Sequence, residues 1–382
     1  MRVLLDVSAV PTEPVGAGVY TLELARGLSR SAEVALVLLT RRGDEGRWAA
    51  IAPGSTLVAA VPPSRPARLA WEQVLAPGLA RRLAVDLWHG PHYTMPIRLT
   101  VPAVITVHDL TFFDHPEWHE RSKVEYFRRM IRASTARANG IVCVSEFTEA
   151  RLHAHTDPVG TVTVIPHGVD HARFAPKLAE RSAEAGDDKD EVAALARLGI
   201  RAPYIGFLST IEPRKNVAGL VRAFARIAPS HPDLQLVLGG GRGWGVDIVQ
   251  RAIEHSGVAT RIARPGRLDD ALVPAFYRHA AAIAYPSFEE GFGLPALEAM
   301  ACGAPLVTSR GSALEEVVAD AALTVTPDDD TAIASALERA LEPACAAQLR
   351  TRGPERARRF RWDDSVDAHI ALYQKLALGS NR

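Results

Sequence analysis

A chain of 382 residues with 47% hydrophobic and 23% charged residues is long for one core and suits two globular domains of ordinary size. Its 44 Lys and Arg balance 44 Asp and Glu, so no global field favours nucleic acid or an acidic polymer. Three cysteines, Cys143, Cys302 and Cys345, are odd in number and far apart, which argues for a reducing compartment and against a disulfide framework or structural zinc.

The first strand, Arg2 to Val7, begins at once and reads as leaving no room for a signal peptide. No run reaches the ~18 apolar residues that span a membrane. A cytoplasmic enzyme is expected. Short apolar strands (VLLDV, VALVLLT, TLVAAV, LWH, AVITVH, IVCVS, TVTVIP) alternate with helical patterns through the first half, as in a parallel, doubly wound α/β sheet. Gly16 and Gly18 form a G-x-G loop between the first strand and a helix from Tyr20 to Leu28. Without a third glycine or an acidic partner this is a weak dinucleotide fingerprint, and a plain tight turn explains it as well. Trp88-His89-Gly90-Pro91-His92-Tyr93 ends a strand with two imidazoles and two aromatics, a candidate acceptor-side loop rather than a metal site, since no third ligand is evident. His108-Asp109 ends the strand AVITVH, with Asp109 placed to orient the ring; a lone His there is more often structural. The helix Arg121 to Ala138 carries six cations against Glu125, with Val124, Phe127 and Ile131 as its apolar stripe. Such a helix is most simply a solvated face packed on a sheet. His153 and His155 cannot share a helical face and are expected on the surface. A charged stretch from Ala175 to Leu195, without aromatics, reads as a partly disordered or helical connector.

The second half repeats the pattern with YIGFLS, LQLVLGG, a weak RIARPG, AAIAYPS, PLVTS and ALTVTP. Two such sheets are expected to leave a cleft at the carboxyl ends of their strands. After the first strand, Glu212-Pro213-Arg214-Lys215-Asn216 puts adjacent cations at a helix start, where they oppose the dipole and call for an anion. A solvated pair is the plain alternative. Gly239 to Gly245 is a glycine-rich loop with Arg242 as a minor ligand candidate. The stretch Tyr285 to Ser309 is the most informative: strand, glycine loop, helix, strand. Gly291 and Gly293 bracket Phe292, Pro295 suits the first helical turn, and Gly303 with Pro305 ends the helix. The helix start at Gly293 and Leu294 is a candidate phosphate site. Glu290 and Glu298 frame it, which suits a ligand with both phosphate and hydroxyls, a sugar nucleotide; acids near a helix start also simply complement its dipole. Asp328-Asp329-Asp330 contains D-x-D but precedes a helix, where Asp is a good cap. An amphipathic helix from Trp362 to Leu378 turns Val366, Ile370, Tyr373 and Leu376 to one side.

S-x-x-E-G-F-G-L-P-x-L-E-A-M-A-C-G-x-P resembles the E-x7-E signature of retaining glycosyltransferases of family 4, which have the GT-B fold of two Rossmann-like domains. The likeness runs from the G-x-G loop to the final helix and is nearest the mannosyltransferase-like branch that builds bacterial surface polysaccharides. It implies domains at 1–172 and 201–360, a linker at 173–200, and a helix at 361–382 that crosses back to the first domain. It implies that Glu298 holds the nucleotide ribose, that Glu290 and His108 meet the donor sugar, and that Arg214 and Lys215 hold the diphosphate. Gly291, Phe292, Gly293 and Leu294 then border the phosphates, the loop Gly266-Arg267-Leu268 meets the base, and Gly16 and Gly18 lie near the phosphates or the acceptor. His167-Gly168-Val169-Asp170 has His where the family has Asn. Expected partners are a nucleotide-sugar donor, GDP-mannose before a UDP-hexose, and a glycan or lipid-linked acceptor. No cofactor or divalent metal is called for, because the cations are built in. Some related enzymes dock anionic membranes through a basic first-domain helix, which here implies peripheral contact of the helix 121–138 with the inner face of the plasma membrane. A sugar-nucleotide epimerase or phosphorylase of the same fold, and a silent nucleotide-sugar-binding module, are the alternative functions.

Overall fold

The computed structural model describes residues 1–176 and 185–379. The chain divides into two units, Met1–Gly168 with Arg361–Arg382, and Val169–Phe360. Of the expected connector, 177–184 lies outside the described residues. Ala185–Arg197 is a helix of the second unit, where Glu191 takes Arg278 and, at 2.9 Å, His279 Nε2.

Seven strands make the first sheet: β1 (Arg2–Asp6), β2 (Ala35–Arg41), β3 (Thr56–Val61), β4 (Leu87–Gly90), β5 (Ala103–Val107), β6 (Gly140–Cys143) and β7 (Thr161–Val164). Their order is β3-β2-β1-β4-β5-β6-β7 and every pair is parallel. The strands are near-continuous apolar runs because helices cover both faces. On one face Val3, Leu5 and Leu38 meet Tyr20 and Leu24 of the helix Ala17–Arg30, and Val366, Ile370 and Tyr373 of the helix Trp362–Gly379. The apolar stripe read from sequence is therefore the buried one, and each such side chain contributes ~1.5–3 kcal/mol. Gly27 lets those two helices approach: a Cβ there would stand 2.3 Å from Val366 Cγ2. On the other face Leu4, Val37, Leu39 and Trp88 pack on Ala76, Leu79 and Ala80.

Six strands make the second sheet: β8 (Tyr204–Leu208), β9 (Gln235–Gly239), β10 (Ile262–Gly266), β11 (Ala282–Tyr285), β12 (Leu306–Ser309) and β13 (Leu323–Val325). The order is β10-β9-β8-β11-β12-β13, again parallel throughout. The weak run RIARPG is the edge strand β10, where Pro265 costs no inner ladder bond and the register slips between Ala263 and Gly266. The order reverses between β1 and β4 in the first sheet and between β8 and β11 in the second. Connections leaving the two central strands at such a switch point part to opposite faces and open a crevice at the carboxyl edge, the place where ligands of α/β sheets bind.

Candidate active site

The segments that leave β8 and β11 at the second sheet's switch point carry Arg214, Lys215 and Glu290. After β8 the chain forms a 3-10 turn, Pro213–Lys215, and Asn216 then adopts left-handed φ of 51° as cap of the helix Val217–Ile227. Asn216 Oδ1 accepts from the Gly219 amide at 3.2 Å. Arg214 and Lys215 thus precede the cap instead of opening the helix as expected, so the dipole does not explain them. Their anion belongs to the chain itself. Arg214 Nη1 lies 2.6 Å from Glu290 Oε2 and donates to the Glu289 carbonyl at 3.2 Å, Arg214 Nε meets Glu212, and Lys215 Nζ donates to Glu290 Oε1. Glu290 and Lys215 are 7% and 5% exposed. Burial alone raises the Glu290 carboxyl, but Arg214 and Lys215 bring it down to about 2. Burial first, then Arg214, lowers the Lys215 ammonium against the pull of Glu290. The expected donor-hydroxyl residue is here the counter-ion of the expected diphosphate cations.

The glycine loop follows. Gly293 caps the helix Leu294–Ala301 at φ 102°, with Pro295 in the first turn. The left-handed φ favours glycine here, and a Cβ would also have to displace Leu314 Cδ2, 2.4 Å away. The Ala296 and Leu297 amides are the first to bond back, to the Gly293 carbonyl at 3.0 and 3.1 Å. At the other end Gly303, with φ 73°, sends its amide to Met300 O and Ala304 sends its own to Ala299 O, closing the helix as its sequence expects. Phe292, expected beside the phosphates, turns its ring inward, edge-on to Phe360 at 5.9 Å, so only its main chain borders the loop. Leu268 is likewise buried, while Gly266 takes φ 77° and its carbonyl accepts the Gly240 amide at 2.7 Å. Glu298 is half-buried, and burial raises its carboxyl to about 7 against the opposing charge of Arg173.

The remaining candidates of the second unit have structural work. Asp329 Oδ1 accepts from the Thr331 and Ala332 amides at 2.9 Å, and Asp330 pairs with Arg222, so the D-x-D is a helix cap. Arg242 is exposed. The glycines around it serve backbone approach: a Cβ on Gly240 would meet Ser209 O at 1.9 Å, and one on Gly243 would meet Ile211 O at 2.6 Å.

Gly16, Gly18 and His108 belong to the first unit. Gly16 caps the helix Ala17–Arg30 with φ 49°, and Gly18 sends its amide to Val15 O at 2.9 Å. That helix begins three residues before the expected start at Tyr20. His108 follows β5 directly, 8% exposed, and donates from Nε2 to the Pro91 carbonyl at 2.8 Å, which leaves Nδ1 as the acceptor. Burial lowers its pKa, with Pro91 and Asp109 opposing. Asp109 does not orient the ring as expected: its Oδ1 accepts from Thr111 Oγ1 at 2.8 Å. Trp88 and His89 are core residues of β4, a correction to the acceptor-loop reading, while His92 and Tyr93 flank His108 with ring centroids at 5.7 Å.

His89 is held in a directed chain. His369 Nδ1 donates to Ser365 O, so its Nε2 accepts from Tyr20 Oη at 2.8 Å. Tyr20 Oη then accepts from Thr106 Oγ1, Thr106 accepts from His89 Nε2, and His89 Nδ1 accepts from Tyr373 Oη at 2.6 Å. Burial keeps both imidazoles neutral, His89 well below its usual range and His369 lowered to about 4. His167 packs against Tyr20 at 4.9 Å, and burial holds its pKa well below the usual value.

The basic helix ends at Thr135, short of Ala138. Arg128 is spent on the Phe112 and Phe113 carbonyls, Lys123 on Glu120 at 2.6 Å, and Arg132 lies over the Phe113 ring, so part of the charge is internal. His155 is not the plain surface residue expected: it meets Asp114 at 2.7 Å and stacks on Phe113. No helix among the described residues is long and apolar enough to cross a membrane.

Residues 196–360 match the family described as glycosyl transferases group 1, and residues 14–173 match Glycosyltransferase Family 4. The chain is a GT-B glycosyltransferase. It is 29% identical over 98% of its length to the whole of the O-antigen chain mannosyltransferase B of Escherichia coli. It is 33% identical to the D-inositol 3-phosphate glycosyltransferase of Salinispora tropica over 72% of its own length, spanning 59% of that protein. The sucrose-phosphate synthase structure from Thermosynechococcus elongatus shares the fold, with a TM-score of 0.79 and 22% identity over 99% of both chains.

Three residues beside Glu298 escaped the motif reading. Tyr277 and Tyr285 form a hydroxyl pair at 3.1 Å beside Glu298, and Arg173 is the cation that faces it. Both tyrosines lie in apolar stretches of sequence, and only the fold brings the Tyr277 hydroxyl to a carboxylate. Arg173 stands just past HGVD, where a lone Arg carries no signal.

Proposed function

We propose that the enzyme moves a hexose from a nucleotide diphosphate to an acceptor hydroxyl of a glycan or lipid-linked glycan, with retention of configuration and GDP-mannose as donor. The observation that carries this reading is the Arg214–Lys215–Glu290 cluster at the switch point, beside the Gly293 helix start. A guanidinium has five N–H donors and an ammonium three, more than one carboxylate uses. The departing diphosphate shares them with Glu290, and preorganised cations of this kind supply the electrostatic stabilisation that usually dominates transfer. Glu298 takes the ribose hydroxyls and Glu290 the sugar. Because the two cations neutralise the leaving group, transfer continues with a chelator present. The mannosyl donor rests on the O-antigen mannosyltransferase likeness along the full chain.

Thermal shift with GDP-, UDP-, ADP- and dTDP-sugars tests the reading. The true donor at ~100 times its Kd adds ~2.7 kcal/mol. GDP-mannose is expected to stand out, and Arg214→Ala to lose ~10²–10³ in turnover. A UDP-hexose standing out instead moves the donor assignment, and a changed sugar released without acceptor makes the enzyme an epimerase. The exposed Arg121 and Arg129 of the basic helix are assigned to the anionic inner face of the plasma membrane. Cosedimentation with anionic but not neutral vesicles is the expected result.

A further inference from the structure

The Glu298 carboxylate does not stand alone. Tyr277, 1% exposed on the helix Val273–His279, sends its hydroxyl to Glu298 Oε2 at 3.4 Å, a long bond. The same hydroxyl lies 3.1 Å from Tyr285 Oη, and Tyr285 donates to the Leu208 carbonyl at 3.0 Å. The proton inventory then has two limiting arrangements, set by whether Glu298 Oε2 carries a proton. Tyr285 has one proton, and the Leu208 carbonyl, which can only accept, takes it. Tyr277 also has one proton, and two acceptors compete for it. With Glu298 ionised, it turns to Oε2. With Glu298 protonated, the carboxyl donates to Tyr277 Oη and the Tyr277 proton turns to Tyr285.

We propose that Tyr277 is a positioning residue for donor binding: a hydroxyl rotor between Tyr285 and Glu298 that fixes Oε2 and leaves the other carboxylate oxygen to the nucleotide ribose. This rests on the reading that Glu298 holds the ribose. A ribose diol gives two donors and needs the ionised carboxylate, so the rotor couples nucleotide binding to the loss of one proton. The charged and titratable groups that face Glu298 are Arg173, Asp270, Tyr277, Tyr285 and Cys302. Arg173 and Tyr277 favour the carboxylate, while burial and Asp270 oppose it; the balance puts its titration at about 7, within the working range.

The two tyrosines therefore have opposite effects. Tyr277→Phe keeps the ring packing against Phe174 and Phe276 but removes the donor to the carboxylate. Tyr285→Phe removes the competing acceptor, so Tyr277 can donate only to Glu298. GDP binding by calorimetry between pH 5.5 and 8.5 reads the difference, and the nucleotide's own phosphate titration cancels between variants. In the wild type, affinity falls as pH drops below about 7. Tyr277→Phe is expected to weaken GDP about threefold to tenfold at pH 7, to raise KM for the donor with kcat within about twofold, and to move the pH midpoint up. Tyr285→Phe is expected to move it down. Glu298→Gln is expected to bind weakly and without the midpoint. Unmoved midpoints in both tyrosine variants, with Glu298→Gln weak, overturn the rotor and leave the ribose assignment standing. GDP binding by Glu298→Gln equal to wild type overturns the assignment and the rotor with it. Should Tyr277→Phe fail to fold, the direction of the Tyr285→Phe shift decides alone.

Discussion

Glu290→Gln keeps the shape of the side chain and removes its charge. Lys215, 5% exposed, then faces Arg214 in the interior without its carboxylate. Between an ordinary 4.5 and about 2 in the fold, at 1.36 kcal/mol per pH unit, the Glu290 carboxylate is stabilised by about 3 kcal/mol net, burial opposing and the two cations prevailing. Breaking a buried pair from one side costs ~3–5 kcal/mol, because the surviving charge is left uncompensated. Glu290→Gln is therefore expected to lose about 3 kcal/mol at pH 7. Its folded pKa is depressed, so this stabilisation is complete above pH 4.5 and disappears as pH falls toward about 2. Guanidinium titration followed by circular dichroism reads the loss at pH 7 and at pH 3. The double variant Glu290→Gln with Lys215→Met leaves no lone buried ammonium and is expected to recover most of the loss. Binding of bare GDP by Glu290→Gln is expected to match or exceed wild type, since a negative charge beside the diphosphate is gone, while sugar transfer collapses. A single variant as stable as wild type, or a double variant no better than the single, refutes the ion-pair reasoning.

Glu298→Gln should behave in the reverse sense for stability. Its folded carboxyl is raised to about 7, so the cost of ionising it is absent below pH 4.5 and grows to about 3 kcal/mol above pH 7. The variant is expected to be more stable than wild type at pH 8 and no different at pH 4. Gly293→Ala places a side chain at φ 102° and 2.4 Å from Leu314 Cδ2, with an expected loss of ~1–3 kcal/mol in a thermal melt. Tyr373→Phe strips His89 Nδ1 of its 2.6 Å donor in a dry core, with ~1–3 kcal/mol lost from the first unit and no effect on GDP affinity.

Much of this architecture was legible because its signals are local. Alternating apolar strands and helices imply parallel sheets, and Gly293, Pro295, Gly303 and Pro305 mark the limits of one helix through backbone rules alone. Pairing was not legible. Nothing in the spacing of Arg214, Lys215 and Glu290 says that the carboxylate neutralises the cations, because that depends on β8 lying next to β11. Trp88 and His89 read as a ligand loop because strand β4 is short and ends in polar residues, and only the partners Tyr373 and Thr106 show them to be interior. Tyr277 reads as core by composition; its function resides in one hydroxyl.

The first unit is assembled from two stretches that are interrupted by the whole of Val169–Phe360. Val366, Ile370 and Tyr373 complete a core begun at Val3, and His369 completes the bond of Tyr20. On the ribosome, then, the earliest strands emerge long before their covering helix, while the later unit is translated in one continuous piece and can finish first. The half that is made first is thus the half that must wait for the last helix. A nascent chain halted before Trp362 would hold one finished half and one that still shows its apolar side to chaperones.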